Sequence, residues 1–121
     1  MPWIYRQSTG MFSRNDTVVG RGYSGKGAGK NDPTAQIMHN IGPIPAGFYT
    51  IGAAHTDPSK GPLVMHLAPD DANQMFGRSG FLIHGDSIHE PGEASQGCIV
   101  LSHDIRARIA ASTDRILEVQ A

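Results

Sequence analysis

The sequence predicts a mainly β fold with one α-helix close to its C-terminus. Three observations predict it. Fifteen Gly and eight Pro in 121 residues favour short strands and tight turns over long helices. The apolar runs are short and are bounded by Gly, Pro, Asn or Asp. Only one stretch, near the end, places apolar residues at helical spacing behind a capping residue.

Each element follows in order. "WIYRQSTGMFSR" (3–14) alternates as a hairpin, with Ser8, Thr9 and Gly10 as its turn. "TVVGRGYSG" (17–25) reads as a further short strand. "SGKGAGKNDP" (24–33) is a polar, glycine-rich surface loop. A phosphate loop needs G-x-x-x-x-G-K-[ST]. Ser24 stands where the first Gly should be and Asn31 where the metal-binding hydroxyl should be, so nucleotide binding is not supported. In "GPIPAGFYTIGAA" (42–54), Pro43 and Pro45 stiffen the approach to a strand over 48–51. "PLVMHLAP" (62–69) is the next strand, and "ANQMFGRSG" (72–80) is expected to hold one helical turn ended by Gly77. "GFLIHGD" (80–86) is a buried strand running into a turn at Gly85, and "GCIVLS" (97–102) is another strand. Ser102 is a good N-cap for a helix over 103–112, with Ile105 and Ile109 on one face and Arg106 and Arg108 pointing elsewhere. "RILEVQ" (115–120) closes the chain as a strand.

Length suits one domain, residues 1–121, and a hydrophobic fraction of 39% supports a modest core. The formal charge is −1 and no Lys/Arg block exists, which argues against nucleic acid or a membrane surface as the main partner. No run is long enough for a transmembrane helix. "MPWIYRQSTGMF" lacks an apolar segment behind a basic one, so it does not read as a secretory signal.

The chemistry centres on "HGDSIHEPGEASQGCIV" (84–100), which holds the only Cys of the chain. A lone thiol cannot close an internal disulfide. It attacks as the thiolate, so at neutral pH it needs a base or a positive field beside it. His84 ends an apolar strand at a Gly turn, and Cys98 begins another just after Gly97. Were these strands neighbours, their ends would meet, with loop 86–96 bulging outward and imidazole beside thiol. Gly97 would let a substrate approach the backbone and leave amide N–H groups to stabilise an oxyanion.

The same residues carry a family resemblance. "FLIHGDS" followed by "ASQGCIVL" resembles the active-site pattern of the YkuD-type L,D-transpeptidases, and "GPIPAGFYTI" resembles a strand of that domain. "YSGKGAGKNDP", "GPIPAGFY", "GRSGFLIHGD" and "ASQGCIVLS" resemble, in order, the compact branch of type VI secretion L,D-transpeptidase effectors. The resemblance implies a small YkuD-like β-sandwich. It implies that Cys98 attacks residue three of a peptidoglycan tetrapeptide stem at the L-centre of meso-diaminopimelate. D-alanine leaves and a thioester passes to water, a D-amino acid or another stem. His84 is the expected base, with Gly97 and Cys98 N–H groups as the oxyanion hole and Ser95 shaping the turn. Asp86 either orients His84 or caps the turn. Mainstream members carry His and Arg where this chain has Gln96 and Val100. Arg78 is therefore expected to take over substrate-carboxylate binding, with Gly85, Ser87, Gln96, Tyr23 and Asn31 around the substrate. Lys26 and Lys30 are read as solvated charges.

No cofactor or metal is expected. An effector of this kind would be made in the cytoplasm without a signal peptide and delivered into the periplasm of a target bacterium. Its expected partners are type VI secretion components and a cognate immunity protein. Two other readings compete: a non-catalytic β-domain with Cys98 as packing, and a zinc hydrolase built on His84, Asp86 and His89 or His66. His89 is also the rival base.

Overall fold

The computed structural model describes residues 2–121. The described residues are mainly β with a single α-helix, as predicted. The first hairpin pairs β1 (Trp3–Arg6) with β2 (Met11–Arg14). Its turn is tightened by Gly10, whose N–H donates to the Arg6 carbonyl at 2.8 Å and whose φ is 72°. β3 (Thr17–Arg21) extends this sheet at one edge. The strand read as continuous over 17–25 breaks at Gly22, and β4 (Tyr23–Ser24) belongs to the opposite edge. Loop 24–33 contains one short 3-10 turn and the start of a second, at Gly27–Gly29 and Pro33–Ala35.

β5 (Gly47–Ile51) and β7 (Gly61–Pro69) form next, with a polar strand β6 (His55–Asp57) between them. β7 is the spine. Its C-terminal part pairs with β5, its centre with β8 (Leu82–His84) and its N-terminal part with β6. β9 (Ile99–Val100) lies parallel to β8, α1 (His103–Ala111) follows, and β10 (Ile116–Gln120) inserts between β1 and β5. The helical turn expected within 72–80 is absent. That segment runs through turns, with Phe76 and Gly77 both at positive φ, a conformation that cannot propagate a right-handed helix.

The strand path is β3-β2-β1-β10-β5-β7-β8-β9-β4. Its two ends are one residue apart in the chain, so the sheet must curl until its edges almost meet, giving a barrel-like sandwich. Gly22 makes that join. A Cβ there would lie 2.0 Å from the Val100 carbonyl oxygen.

Trp3, Tyr5, Phe12, Tyr49, Ile51, Ile83, Ile99, Leu117 and Val119 fill the interior. The polar ends of the large aromatics are satisfied: Trp3 Nε1 donates to the Asp114 carbonyl at 3.0 Å and Tyr49 OH to that of Pro45 at 2.7 Å. α1 covers the core with Ile105 and Ile109, and Ser102 Oγ accepts from the Ile105 N–H at 3.4 Å. Arg106, expected to point away, is 7% exposed. Its Nε donates to the Leu101 carbonyl and its Nη1 to those of Pro62 and Leu63. A guanidinium can be buried where several carbonyls converge on its fork.

Candidate active site

Two parallel strands position the site. The ladder pairs Ile83 with Ile99 and His84 with Val100, so one residue earlier Cys98 falls beside Leu82. The strands are neighbours as expected, but their ends do not meet. The thiol lies diagonally across from the imidazole on the same face of the sheet. Both residues line one cavity of about 370 Å3, together with Lys60, Phe81, Glu93 and Gln96.

His84 is 2% exposed. Its Nδ1 lies 2.7 Å from the Gly85 carbonyl oxygen. A carbonyl only accepts, so Nδ1 carries the proton and Nε2 presents a lone pair. Nε2 is buried and has no hydrogen-bond partner. Burial holds the ring's pKa below 6.5, the charges of Lys60 and Arg106 act in the same direction, and the Gly85 carbonyl and Asp86 oppose them. The imidazole is neutral at neutral pH. Cys98 is half-buried, and burial pushes its thiol up. A hydrogen bond from the Leu82 backbone and the charges of Lys60 and Arg78 offset part of that. At rest the pair is thus a neutral thiol and a neutral base, not yet hydrogen-bonded to each other.

The loop between them is laced by side chains. Ser95 Oγ accepts from the N–H groups of Gly25 (2.9 Å) and Gly97 (3.0 Å) and donates to the Cys98 carbonyl at 2.6 Å. Ser95 thus shapes the turn, and the Gly97 N–H, one of the two expected oxyanion donors, is already committed. Ser24 Oγ donates to the Gly97 carbonyl at 2.8 Å and accepts from the Ile44 N–H. Gly97 has φ 133°, and a Cβ there would meet Arg78 Nη2 at 2.5 Å and Phe81 at 2.8 Å. Asp86 does not touch His84 Nδ1. Its Oδ1 accepts from Tyr23 OH (2.6 Å) and the Ser87 N–H (2.8 Å), and the Gly92 N–H reaches both its oxygens at 3.1 Å. Burial tends to raise the Asp86 pKa, but these hydrogen bonds outweigh it and hold the carboxyl low. Asp86 caps the loop, and the Gly85 carbonyl orients the ring.

Several expected substrate residues are otherwise engaged. Arg78 is 6% exposed. Its Nη1 donates to the carbonyls of Gln36 (2.6 Å) and Pro43 (2.7 Å), and its Nη2 to those of Gly42 (2.9 Å) and Gln96 (3.2 Å). No fork remains for a substrate carboxylate. Tyr23 OH bridges Asp86 and the Ala94 N–H, Lys30 Nζ stands 4.7 Å over its ring, and burial followed by Asp86 pushes the phenol up to about 12. Asn31 Oδ1 accepts from the Ser24 N–H at 3.1 Å. Tyr23 and Asn31 therefore brace the loops and line neither cavity beside His84. Gln96 does line the Cys98 cavity, as does Lys26. Gly85, Ser87 and His89 line a second cavity of about 660 Å3 that His84 also borders. His89 is exposed. His66 stacks on His55 at 5.0 Å and lines neither cavity.

Two residues escaped the sequence reading. Arg106 Nη2 lies under Gly85, where a Cβ would meet it at 2.7 Å. Lys60, in the β6–β7 turn, lines both cavities. Neither belongs to a motif. Among the described residues no three His, Cys, Asp or Glu side chains form a set that could hold a metal ion, so the zinc reading finds no ligand cluster.

A family model described as the Tlde1 domain matches residues 19–120. A solved structure, an L,D-transpeptidase from Mycobacterium smegmatis, aligns with a TM-score of 0.52 at 21% identity, covering 98% of this chain and 58% of its own. That likeness is one of fold, and the chain spans little more than half the length of that structure. No curated protein matches the chain.

Proposed function

The chain belongs to the Tlde1 domain family, that of the type VI L,D-transpeptidase effectors, and on that premise we propose that it is a cysteine acyltransferase and carboxypeptidase of peptidoglycan stem peptides. The observation that carries the reading is His84 Nε2, a buried acceptor with no partner in the cavity that also holds the chain's one thiol. An unsatisfied buried acceptor costs about 1–3 kcal/mol, and such an atom is rarely kept without use. A base waiting for the thiol's proton is a use that fits its position.

For attack, Sγ and Nε2 come within hydrogen-bond reach across the cavity they share. The sulfur attacks the carbonyl of residue three as its proton passes to His84. The tetrahedral oxyanion is held by the Cys98 amide, since that of Gly97 is taken. Collapse breaks the carbon–nitrogen bond, His84 returns the proton to the departing D-alanine amine, and a thioester remains. Water, a D-amino acid or the amine of a second stem then attacks, giving hydrolysis, exchange or a cross-link. Delivery into a target bacterium's periplasm by type VI secretion, and a cognate immunity protein that blocks the cleft, complete the proposal.

The test is incubation with purified tetrapeptide stems, reading product masses for wild type and Cys98→Ala. Loss of D-alanine with wild type alone is expected. Equal activity in the variant would refute the role of the thiol.

A further inference from the structure

Substrate stems are acidic, and the site needs a cation to receive them. Of the two guanidinium groups beside it, Arg78 spends both terminal nitrogens on four carbonyls. Arg106 commits Nε and Nη1 to those of Leu101, Pro62 and Leu63 and, of the two cavities at His84, lines only the one that lacks Cys98. Lys60 differs. Its side chain is exposed, and among the described residues its ammonium has no hydrogen bond or ion pair. It lines both cavities that meet at His84. It shares the wall of one cavity with the Cys98 thiol and the His84 ring, and its charge acts on both. Lys26 lines the Cys98 cavity too, but it is not among the charges acting on either group. Glu93, another residue of that wall, repels a carboxylate from its own side.

The turn that presents Lys60 is also built to hold still. Asp57 Oδ1 accepts from the Ser59 N–H (2.9 Å), the Ser59 hydroxyl (2.8 Å) and the Lys60 N–H (3.0 Å). This side-chain cap fixes the Lys60 backbone at the lip of the groove.

Bond geometry says what a cation there would meet. During attack the substrate carbonyl carbon sits at Sγ and the leaving nitrogen within reach of Nε2. If the leaving residue is the last of its peptide, its free carboxylate hangs from the carbon attached to that nitrogen. A charge adjoining thiol and imidazole together faces that carboxylate. We propose that Lys60 is the receptor for the free α-carboxylate of the leaving residue and makes the site select peptides that end one residue beyond the scissile bond. This rests on the acyltransferase reading above and adds its specificity.

The test separates binding from turnover. In a Cys98→Ala background, a tetrapeptide stem is titrated calorimetrically as the free acid and as its C-terminal carboxamide. The same is done with Lys60→Gln and Lys60→Arg added. The acid is expected to bind about tenfold tighter than the amide, on the scale of one hydrogen bond to a charged group. Lys60→Gln should erase that preference by weakening the acid alone, and Lys60→Arg should restore most of it. In the active protein, Lys60→Gln should raise KM for the acid far more than it lowers kcat. Equal weakening of acid and amide, no weakening of either, or no binding of either peptide overturns the proposal. A wild type that prefers the acid yet never releases D-alanine sinks the acyltransferase reading and leaves carboxylate recognition standing. A wild type that turns over, with Lys60→Gln indifferent to the carboxylate, sinks only the role of Lys60.

Discussion

Replacing Arg78 by Lys keeps the charge and changes the shape of the donor, which makes it a sharp probe of what that residue does. The guanidinium serves four carbonyls from two nitrogens, and its bonds to Pro43 and Gly42 are fully buried. An ammonium offers three donors from one point. It can satisfy the carbonyls around one nitrogen position and leaves about two of the four without a partner. Each stranded buried carbonyl costs about 1–3 kcal/mol. The bonds to Gln36 and Gln96 are only partly buried, so water relieves some of that, and a loss of about 2–4 kcal/mol is expected. For a chain of this size each kcal/mol lowers Tm by about 3–5 °C, so Arg78→Lys should melt about 6–20 °C lower. Thermal unfolding followed by circular dichroism reads this directly. KM for a tetrapeptide, measured well below the lowered Tm, should stay within about threefold of wild type, because both terminal nitrogens of the side chain are spent on backbone carbonyls and no fork is left for a carboxylate. A Tm within about 2 °C of wild type with a KM raised tenfold would refute the reasoning and return Arg78 to the substrate.

Other consequences follow from the same geometry. His84 has a folded-state pKa below its unfolded value of 6.5, so the stability of the neutral ring is complete above pH 6.5. It is lost as pH falls from there through the folded value, at no more than about 1.4 kcal/mol per pH unit. Urea unfolding between pH 5 and 8 should show that slope in wild type and lose it in His84→Gln, and the acid limb of kcat/KM should fall in the same window. Burial pushes the Cys98 thiol up, so its alkylation rate by iodoacetamide should inflect at a higher pH than that of free cysteine. An inflection well below pH 8 would indicate a resting thiolate and contradict the neutral pair. Asp86→Asn should leave the His84 ring in place, because the Gly85 carbonyl holds it, and should loosen residues 86–94 instead. Hydrogen exchange is expected to rise at Gly92 while kcat falls less than tenfold; a collapse of kcat with exchange unchanged would make Asp86 the orienting group.

The parts of the fold that could be read from residues are those set by local pattern. The hairpin over 3–14, the strands near 48–51, 62–69, 82–84 and 99–100, and the helix capped by Ser102 all show apolar periodicity between turn residues, and all are present. β6 was missed because "HTD" is polar and mostly exposed, held by its pairing with β7 and not by burial. The break at Gly22 was invisible because it depends on the sheet curling until its edges approach, a property of the whole path. Within the site, the adjacency of the His84 and Cys98 strands was legible from two apolar runs around a polar loop. Their parallel register was not, since nothing local distinguishes an end-to-end meeting from a diagonal one. Arg78 and Tyr23 were expected at the substrate from the family resemblance, and Asp86 either at His84 or as a cap of the turn, the role its hydrogen bonds show. Their hydrogen bonds join them to carbonyls, amides and each other far along the chain, which spacing cannot reveal. Lys60 and Arg106 reach the site from a distant hairpin and from a helix face that Ile105 and Ile109 made look solvent-directed.

The central claim is that Cys98 becomes acylated with His84 as its base. Intact mass spectrometry of the protein during turnover of a tetrapeptide stem, followed by mapping of the modified peptide, tests it most directly. The account predicts a transient adduct with the mass of the stem's first three residues as an acyl group, located on Cys98, absent in Cys98→Ala and formed far more slowly in His84→Ala. Release of D-alanine with no adduct on Cys98 under any quench, or the same adduct formed at full rate without the imidazole, would contradict it.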